Sequence, residues 1–185
     1  LHGLQHVAAC KVNGAGRFKG QIDARLLGGE ISRLLGNFFP YYTYSFTVRE
    51  VSRASMGFVV CDQRGDRRVE ILLCDGNCIS VRYANESHDF PCEVTGGETV
   101  IATFRAGGVS VYLDRGEHPM LIGDVDIPLL GEYLNYDVHV SATCALLTRL
   151  DVGGKAAYRH VRGYLCGGLS HADPKPMKYE DGTPI

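Results

Sequence analysis

No run of about 18 consecutive apolar residues occurs in these 185 residues, so nothing here is built to cross a bilayer as a helix. No charge of one sign dominates: 19 Lys and Arg stand against 21 Asp and Glu, a net charge of −2. That leaves no basic field to hold nucleic acid or an anionic membrane. Disorder is excluded for most of the chain by 45% hydrophobic against 22% charged residues. Strands alternating with long helices are absent, which argues against a doubly wound sheet. There is no Gly-x-Ser-x-Gly nucleophile elbow. Asn13-Gly14-Ala15-Gly16 lacks the third glycine and the preceding strand of a phosphate loop. The seven histidines form no close pair on one element, and Cys74 and Cys78 have no partner pair at zinc-finger spacing, so neither a metal nor a cofactor is expected.

What is abundant is cysteine: Cys10, Cys61, Cys74, Cys78, Cys92, Cys144 and Cys166. With the acceptor Asn85-Glu86-Ser87, these suggest an oxidising compartment and a secreted glycoprotein. Leu1 in place of Met is what a chain looks like after signal removal. Six cysteines allow 15 connectivities. Proximity in sequence suggests Cys74–Cys78, Cys144–Cys166 and Cys61–Cys92, leaving Cys10 free or bridging two copies in a homo-oligomer.

Residues 1–37 read as an N-terminal arm, in which Leu26, Leu27, Ile31, Leu34 and Leu35 fall near helical spacing. Residues 38–167 read as strands at short, even intervals, and 168–185 as an extended tail. Tyr42, Tyr44, Phe46 and Val48 share a face by the two-residue period. Asp75-Gly76 and Ala106-Gly107-Gly108 read as hairpin turns, and Tyr164-Leu165-Cys166 as an added edge strand. The expected fold is an all-β, antiparallel, jelly-roll-like sandwich of one domain.

Arg82 and Tyr83 stand at a strand end, where sandwiches place binding loops, although a glycan on Asn85 would crowd them. Asp137 and His139 alternate on one strand and share a face, as an acid–base pair or as an outward polar face. Arg64-Gly65-Asp66 in a turn offers a guanidinium and a carboxylate to a protein partner, and is also ordinary hairpin composition. Asp124 and Asp126, with Asp114 and Glu117 nearby, are hard oxygen ligands without the spacing of a calcium loop, and read as a solvated loop.

The stretch Glu70-Ile71-Leu72-Leu73-Cys74-Asp75-Gly76-Asn77-Cys78-Ile79-Ser80-Val81-Arg82 resembles the core of the farnesoic acid O-methyltransferase-type domain. Phe104-Arg105-Ala106-Gly107-Gly108-Val109-Ser110-Val111 is similar to that family's next hairpin, and Tyr136-Asp137-Val138-His139-Val140 to its late strand. The resemblance covers about residues 38–150 and implies a β-sandwich. A second resemblance, to laminin-G and concanavalin-like sandwiches, implies the same architecture.

The functional expectation is therefore a secreted recognition module that binds a glycan, a small ligand or a protein without catalysis. The alternatives are a small enzyme on the same fold, by methyl transfer as the family name implies or by polysaccharide cleavage, and a self-assembling structural protein.

Overall fold

A computed structural model describes residues 11–13, 17–19, 22–38, 40–62, 67–132 and 142–165. Eleven strands and one short helix follow in order: β1 (Lys11–Asn13), β2 (Arg17–Lys19), β3 (Ile22–Phe38), β4 (Tyr42–Asp62), β5 (Arg68–Cys74), β6 (Cys78–Tyr83), β7 (Glu86–Pro91), β8 (Thr99–Arg105), β9 (Gly108–Asp114), β10 (Met120–Asp126), α1 (Pro128–Glu132) and β11 (Ala142–Leu165). Every strand pairing is antiparallel.

The sandwich is made by bending two long strands. The first half of β4 pairs with β8, which leads to β9 and β10. The second half pairs with β5, which leads to β6 and β7. Strand β11 runs beside β4 along both halves, with β3 on its other edge. Both long strands turn the corner together: Arg53 and Gly153 have positive φ, 49° and 78°. Gly154 has no room for a side chain, since a Cβ there would lie 2.3 Å from the Arg53 carbonyl oxygen. The corner thus depends on glycine at a close backbone approach.

Alternation then fills the space between the sheets. On β4, Tyr44, Phe46 and Val48 are buried in one half, and Met56, Phe58 and Val60 in the other. Val100, Ala102 and Phe104 of β8 and Val109, Val111 and Leu113 of β9 face them. Phe58 lies 5.3 Å from Phe46 and 5.6 Å from Tyr44 between ring centroids, so aromatic edges knit the centre. Tyr158 of β11 is fully buried, and its hydroxyl meets Thr148 at 2.8 Å and donates to the Leu147 carbonyl at 2.8 Å. It ties the two halves of β11 to each other across the bend.

The all-β sandwich expected from the sequence is present, with corrections of detail. Residues 26–35 lie in β3 rather than in a helix, because a long ladder to β11 satisfies their backbone. Their spacing misleads at Leu35, which stands at a register shift and packs against the core while Leu34 is 63% exposed. Residues Tyr164 and Leu165 end the central strand β11 rather than adding an edge. No helix among the described residues is long and apolar enough to cross a membrane.

The five described cysteines, Cys61, Cys74, Cys78, Cys92 and Cys144, are free thiols, which corrects the expected pairings. Cys61 on β4 and Cys92 beyond β7 have β5 and β6 between them, roughly 14 Å of strand spacing. Disulfide Cα atoms stand within about 7 Å. Cys74 and Cys78 do face each other in register, but the Cys74 sulfur is turned to Ser55, whose hydroxyl donates to it at 3.5 Å. Cys144 is buried in the core, and burial pushes its thiol well up. Cys10 and Cys166 lie outside the described residues.

Candidate functional site

Strand alternation separates the two neighbours Arg82 and Tyr83. Arg82 stands on the side of β6 away from the core, in register between Glu70 of β5 and Ser87 of β7, and its Nε donates to Ser80 at 2.9 Å. Tyr83 points the other way, to the end of the sandwich. Asp137 and His139 lie outside the described residues, as do Arg64, Gly65 and Asp66. Asn85 is exposed in the tight turn between β6 and β7, where a glycan would stand at the rim of the site described next.

A pocket of about 540 Å³ opens at this end, lined by Arg67, Arg68, Tyr83, Glu86, Asp126 and Leu129 among others. Both sheets contribute to it. Tyr83 and Glu86 come from the β6–β7 hairpin, where Ala84 takes positive φ (48°) so that the chain reverses within two residues. Asp126 ends β10 and is held from behind: Ile127 is fully buried and its N–H donates to the Gly107 carbonyl at 2.6 Å. Leu130 of α1 plugs the sandwich beneath, leaving Pro128 and Leu129 as the apolar floor of the pocket.

Tyr83 is the centre of the arrangement. Its hydroxyl donates to Glu86 Oε2 at 2.6 Å and lies 3.2 Å from the Asp126 carbonyl oxygen. The His88 ring stacks on the tyrosine with centroids 5.8 Å apart and planes 5° from parallel, and His88 Nε2 lies 3.4 Å from the same Glu86 oxygen. The carboxylate acceptor pushes the Tyr83 phenol above its ordinary value, while the phenol and His88 hold Glu86 below the usual carboxylate range. Both shifts follow from the hydrogen bond itself, which keeps the proton on Tyr83 and Glu86 as its acceptor. The Asp126 carboxylate binds Arg105 through Oδ1 at 2.7 Å, and Arg105 also takes Asp124 through both nitrogens at 2.6 and 2.9 Å.

Arg68 joins the pocket to a second cluster on the far side of β5. There Glu70 is buried although charged, gripped by Arg149 at 2.7 and 2.6 Å and by Arg68. Glu30 of β3 sits on the same two arginines, at 2.8 Å from Arg149 Nε and 3.2 Å from Arg68. Burial works against the Glu30 charge, but the arginine hydrogen bonds win and hold it low. Every oxygen of Glu70 is thus occupied, as a buried charge requires. Asp89, on the same side of β7, is held low by hydrogen bonds from Ser80 and Ser87.

The sequence pointed to Tyr83 and Arg82 but not to Glu86, which was read only as the middle of the Asn85 acceptor. Asp126 was weighed as a calcium ligand; among the described residues no group of His, Cys, Asp or Glu is arranged to hold a metal. The Glu70–Arg149 pair is 79 positions apart in sequence. Its one legible signal was a glutamate inside the apolar run Val69-Glu70-Ile71-Leu72-Leu73.

No protein-family model and no curated protein matches this chain. Solved structures do. A structure described as that of an immunostimulatory antigen and pseudo beta-1,3-glucanase of Mycobacterium tuberculosis is similar at a TM-score of 0.56 and 14% identity, over 84% of this chain and 79% of that one. A beta-1,3-glucanase from Mycobacterium marinum is similar at 0.52 and 12%, over 80% and 77%. A GH43 protein from Bacillus licheniformis shows 0.48 and 18%, and the chain spans 27% of its length. At such identities the likeness is one of fold. It narrows the resemblance to the farnesoic acid domain to a β-sandwich architecture. It turns the expectation of a module without catalysis toward its alternative, polysaccharide cleavage, since these structures are described as a pseudo beta-1,3-glucanase, a beta-1,3-glucanase and a glycosyl hydrolase family protein.

Proposed function

We propose that this chain cleaves glycosidic bonds in a polysaccharide, with a β-1,3-glucan as the first substrate to test, at the pocket around Tyr83 and Glu86. The observation that carries the reading is the 2.6 Å hydrogen bond from Tyr83 to Glu86 on the wall of an open pocket. The fold shared with a beta-1,3-glucanase supports it. Glycoside cleavage works with carboxyl groups flanking the bond that breaks. Here Glu86 and Asp126 come from opposite sheets and line one pocket. The Tyr83 ring offers an apolar face to a sugar, and Arg67 and Arg68 border the same space. The buried Glu70, with both oxygens gripped by arginine, is the scaffold behind this wall.

The test is reducing-sugar release from a soluble β-1,3-glucan by the full chain and by Glu86→Gln. Loss of a positioned base costs about 10²- to 10⁴-fold in rate, and the melting temperature should stay within a degree or two because Glu86 is exposed. A wild-type chain that releases no sugar from β-1,3-, β-1,4- or mixed-linkage glucans and xylans overturns the reading. So does a Glu86→Gln variant with an undiminished rate.

A further inference from the structure

We propose a further activity for this pocket: β-elimination at a uronate unit of a polysaccharide, in which Glu86 takes the proton from the carbon beside the carboxylate and Tyr83 protonates the departing oxygen. This rests on the reading of the pocket as the place where a polysaccharide is cut. It adds a second substrate class, chains of carboxylate-bearing sugars.

Three observations lead to it. The first is where the donor and the acceptor stand. The Tyr83 phenol and the Glu86 carboxylate are 2.6 Å apart on one wall of the pocket, both from the β6–β7 hairpin. Elimination suits such a wall, because the proton removed and the oxygen released sit on neighbouring carbons of one sugar. It also asks no proton of Asp126, which is ion-paired with Arg105. The second is how Glu86 uses its oxygens. Tyr83 and His88 both meet Oε2, at 2.6 and 3.4 Å, which leaves Oε1 to take a proton. The third is charge. Arg67 and Arg68 line the same pocket at the start of β5, whose Val69 is in register with Tyr83. Arg68 is anchored by Glu70 and Glu30, and Arg67 beside it is exposed. A guanidinium on the uronate carboxylate stabilises the charge that develops as the neighbouring proton leaves. With that charge stabilised, a carboxylate is base enough to take a proton from carbon.

The steps balance. Glu86 Oε1 takes the proton from the sugar carbon beside the carboxylate, and that C–H pair becomes a carbon–carbon double bond to the linkage carbon. The C–O pair of the linkage leaves with the departing oxygen, which takes the Tyr83 proton. The hydrogen bond to the Glu86 carboxylate is what holds that phenol above its ordinary value. Once Glu86 is protonated the hold is released, and the phenol becomes the better acid when the departing oxygen needs one. Glu86 then returns its proton to the phenolate across their hydrogen bond. One chain has become two, one of them ending in an unsaturated uronate, and no water is consumed.

A single wall serves a proton and an oxygen that leave from the same side of the ring. In a mannuronate linked through the carbon next to that proton the two are cis, and in the corresponding galacturonate they are trans. The experiment gives the full chain soluble polymannuronate, polygalacturonate and β-1,3-glucan in heavy-oxygen water, and reads products by mass and by the ultraviolet absorbance of the unsaturated uronate. The expected result is an unsaturated product without heavy oxygen from polymannuronate, formed at least about tenfold more slowly from polygalacturonate, whose proton is misplaced. Tyr83→Phe should lose at least about 10²-fold of that rate, with an unchanged melting curve. Elimination with glucans untouched upholds the inference and moves the substrate of the site to uronates. Products that all carry heavy oxygen, polygalacturonate cut as fast as polymannuronate, or a Tyr83→Phe variant keeping more than about a tenth of the rate overturns it. Glucan hydrolysis in the same assay then leaves the cleavage reading standing. No cleavage of any polymer overturns both.

Discussion

Two tyrosines show how differently one side chain is used at the centre and at the end of this molecule. Tyr158 is fully buried between the sheets, and its hydroxyl is satisfied by Thr148 and the Leu147 carbonyl, all on its own strand. Tyr83 stands at the pocket wall, and its hydroxyl is given to a carboxylate that solvent can also reach. Burial raises the first phenol; a neighbouring anion raises the second. The lesson is that a perturbed tyrosine is a structural clasp where its partners are backbone and hydroxyl, and a chemical group where its partner is a titratable one.

The comparison breaks most visibly in the core around Tyr158. Phe58→Ala should cost about 3–5 kcal/mol in chemical denaturation, because the aromatic cluster cannot close over the gap. A loss below about 1 kcal/mol would mean the sheets re-pack freely. Next comes alkali. Tyr44, Cys144 and Tyr158 are raised by burial first, so each keeps its proton in the folded chain at a pH where the unfolded chain has released it. Their contribution to stability is complete below the unfolded values of about 8.5 for thiol and 10 for phenol, and falls as pH rises above them. A melting temperature that holds between pH 9 and 11 would contradict this. Tyr158→Phe should cost about 1–3 kcal/mol, since it strands a buried carbonyl and hydroxyl, while sparing glucan cleavage. Tyr83→Phe should shift stability by less than about 0.5 kcal/mol. Equal losses for the two tyrosines would erase the distinction drawn here.

The fold was legible in the sequence where alternation was clean. Tyr44, Phe46 and Val48 went to the core as their two-residue period required, and the Ala106-Gly107 turn joined β8 to β9. Legibility failed at the bulge near Leu35 and at the β11 corner, where a register shift and a glycine-dependent bend break the period that sequence reading depends on. Of the site, Tyr83 was named from its place at a strand end. Glu86 and Asp126 could not be joined to it, because they meet only when the β6–β7 hairpin is laid against the end of β10.

Composition and strand period by themselves determined that this chain is an antiparallel β-sandwich, because alternate apolar residues can be buried only by a second sheet. Tertiary structure decided the rest. It sent Arg82 and Tyr83 to opposite faces of one strand and gave Glu70 to Arg149, 79 positions away. It left the described cysteines unpaired and put a phenol and a carboxylate at one pocket, with an imidazole stacked on the phenol. Chemistry at a site depends on distances between atoms far apart in the chain, and those distances exist only once the sheets have closed.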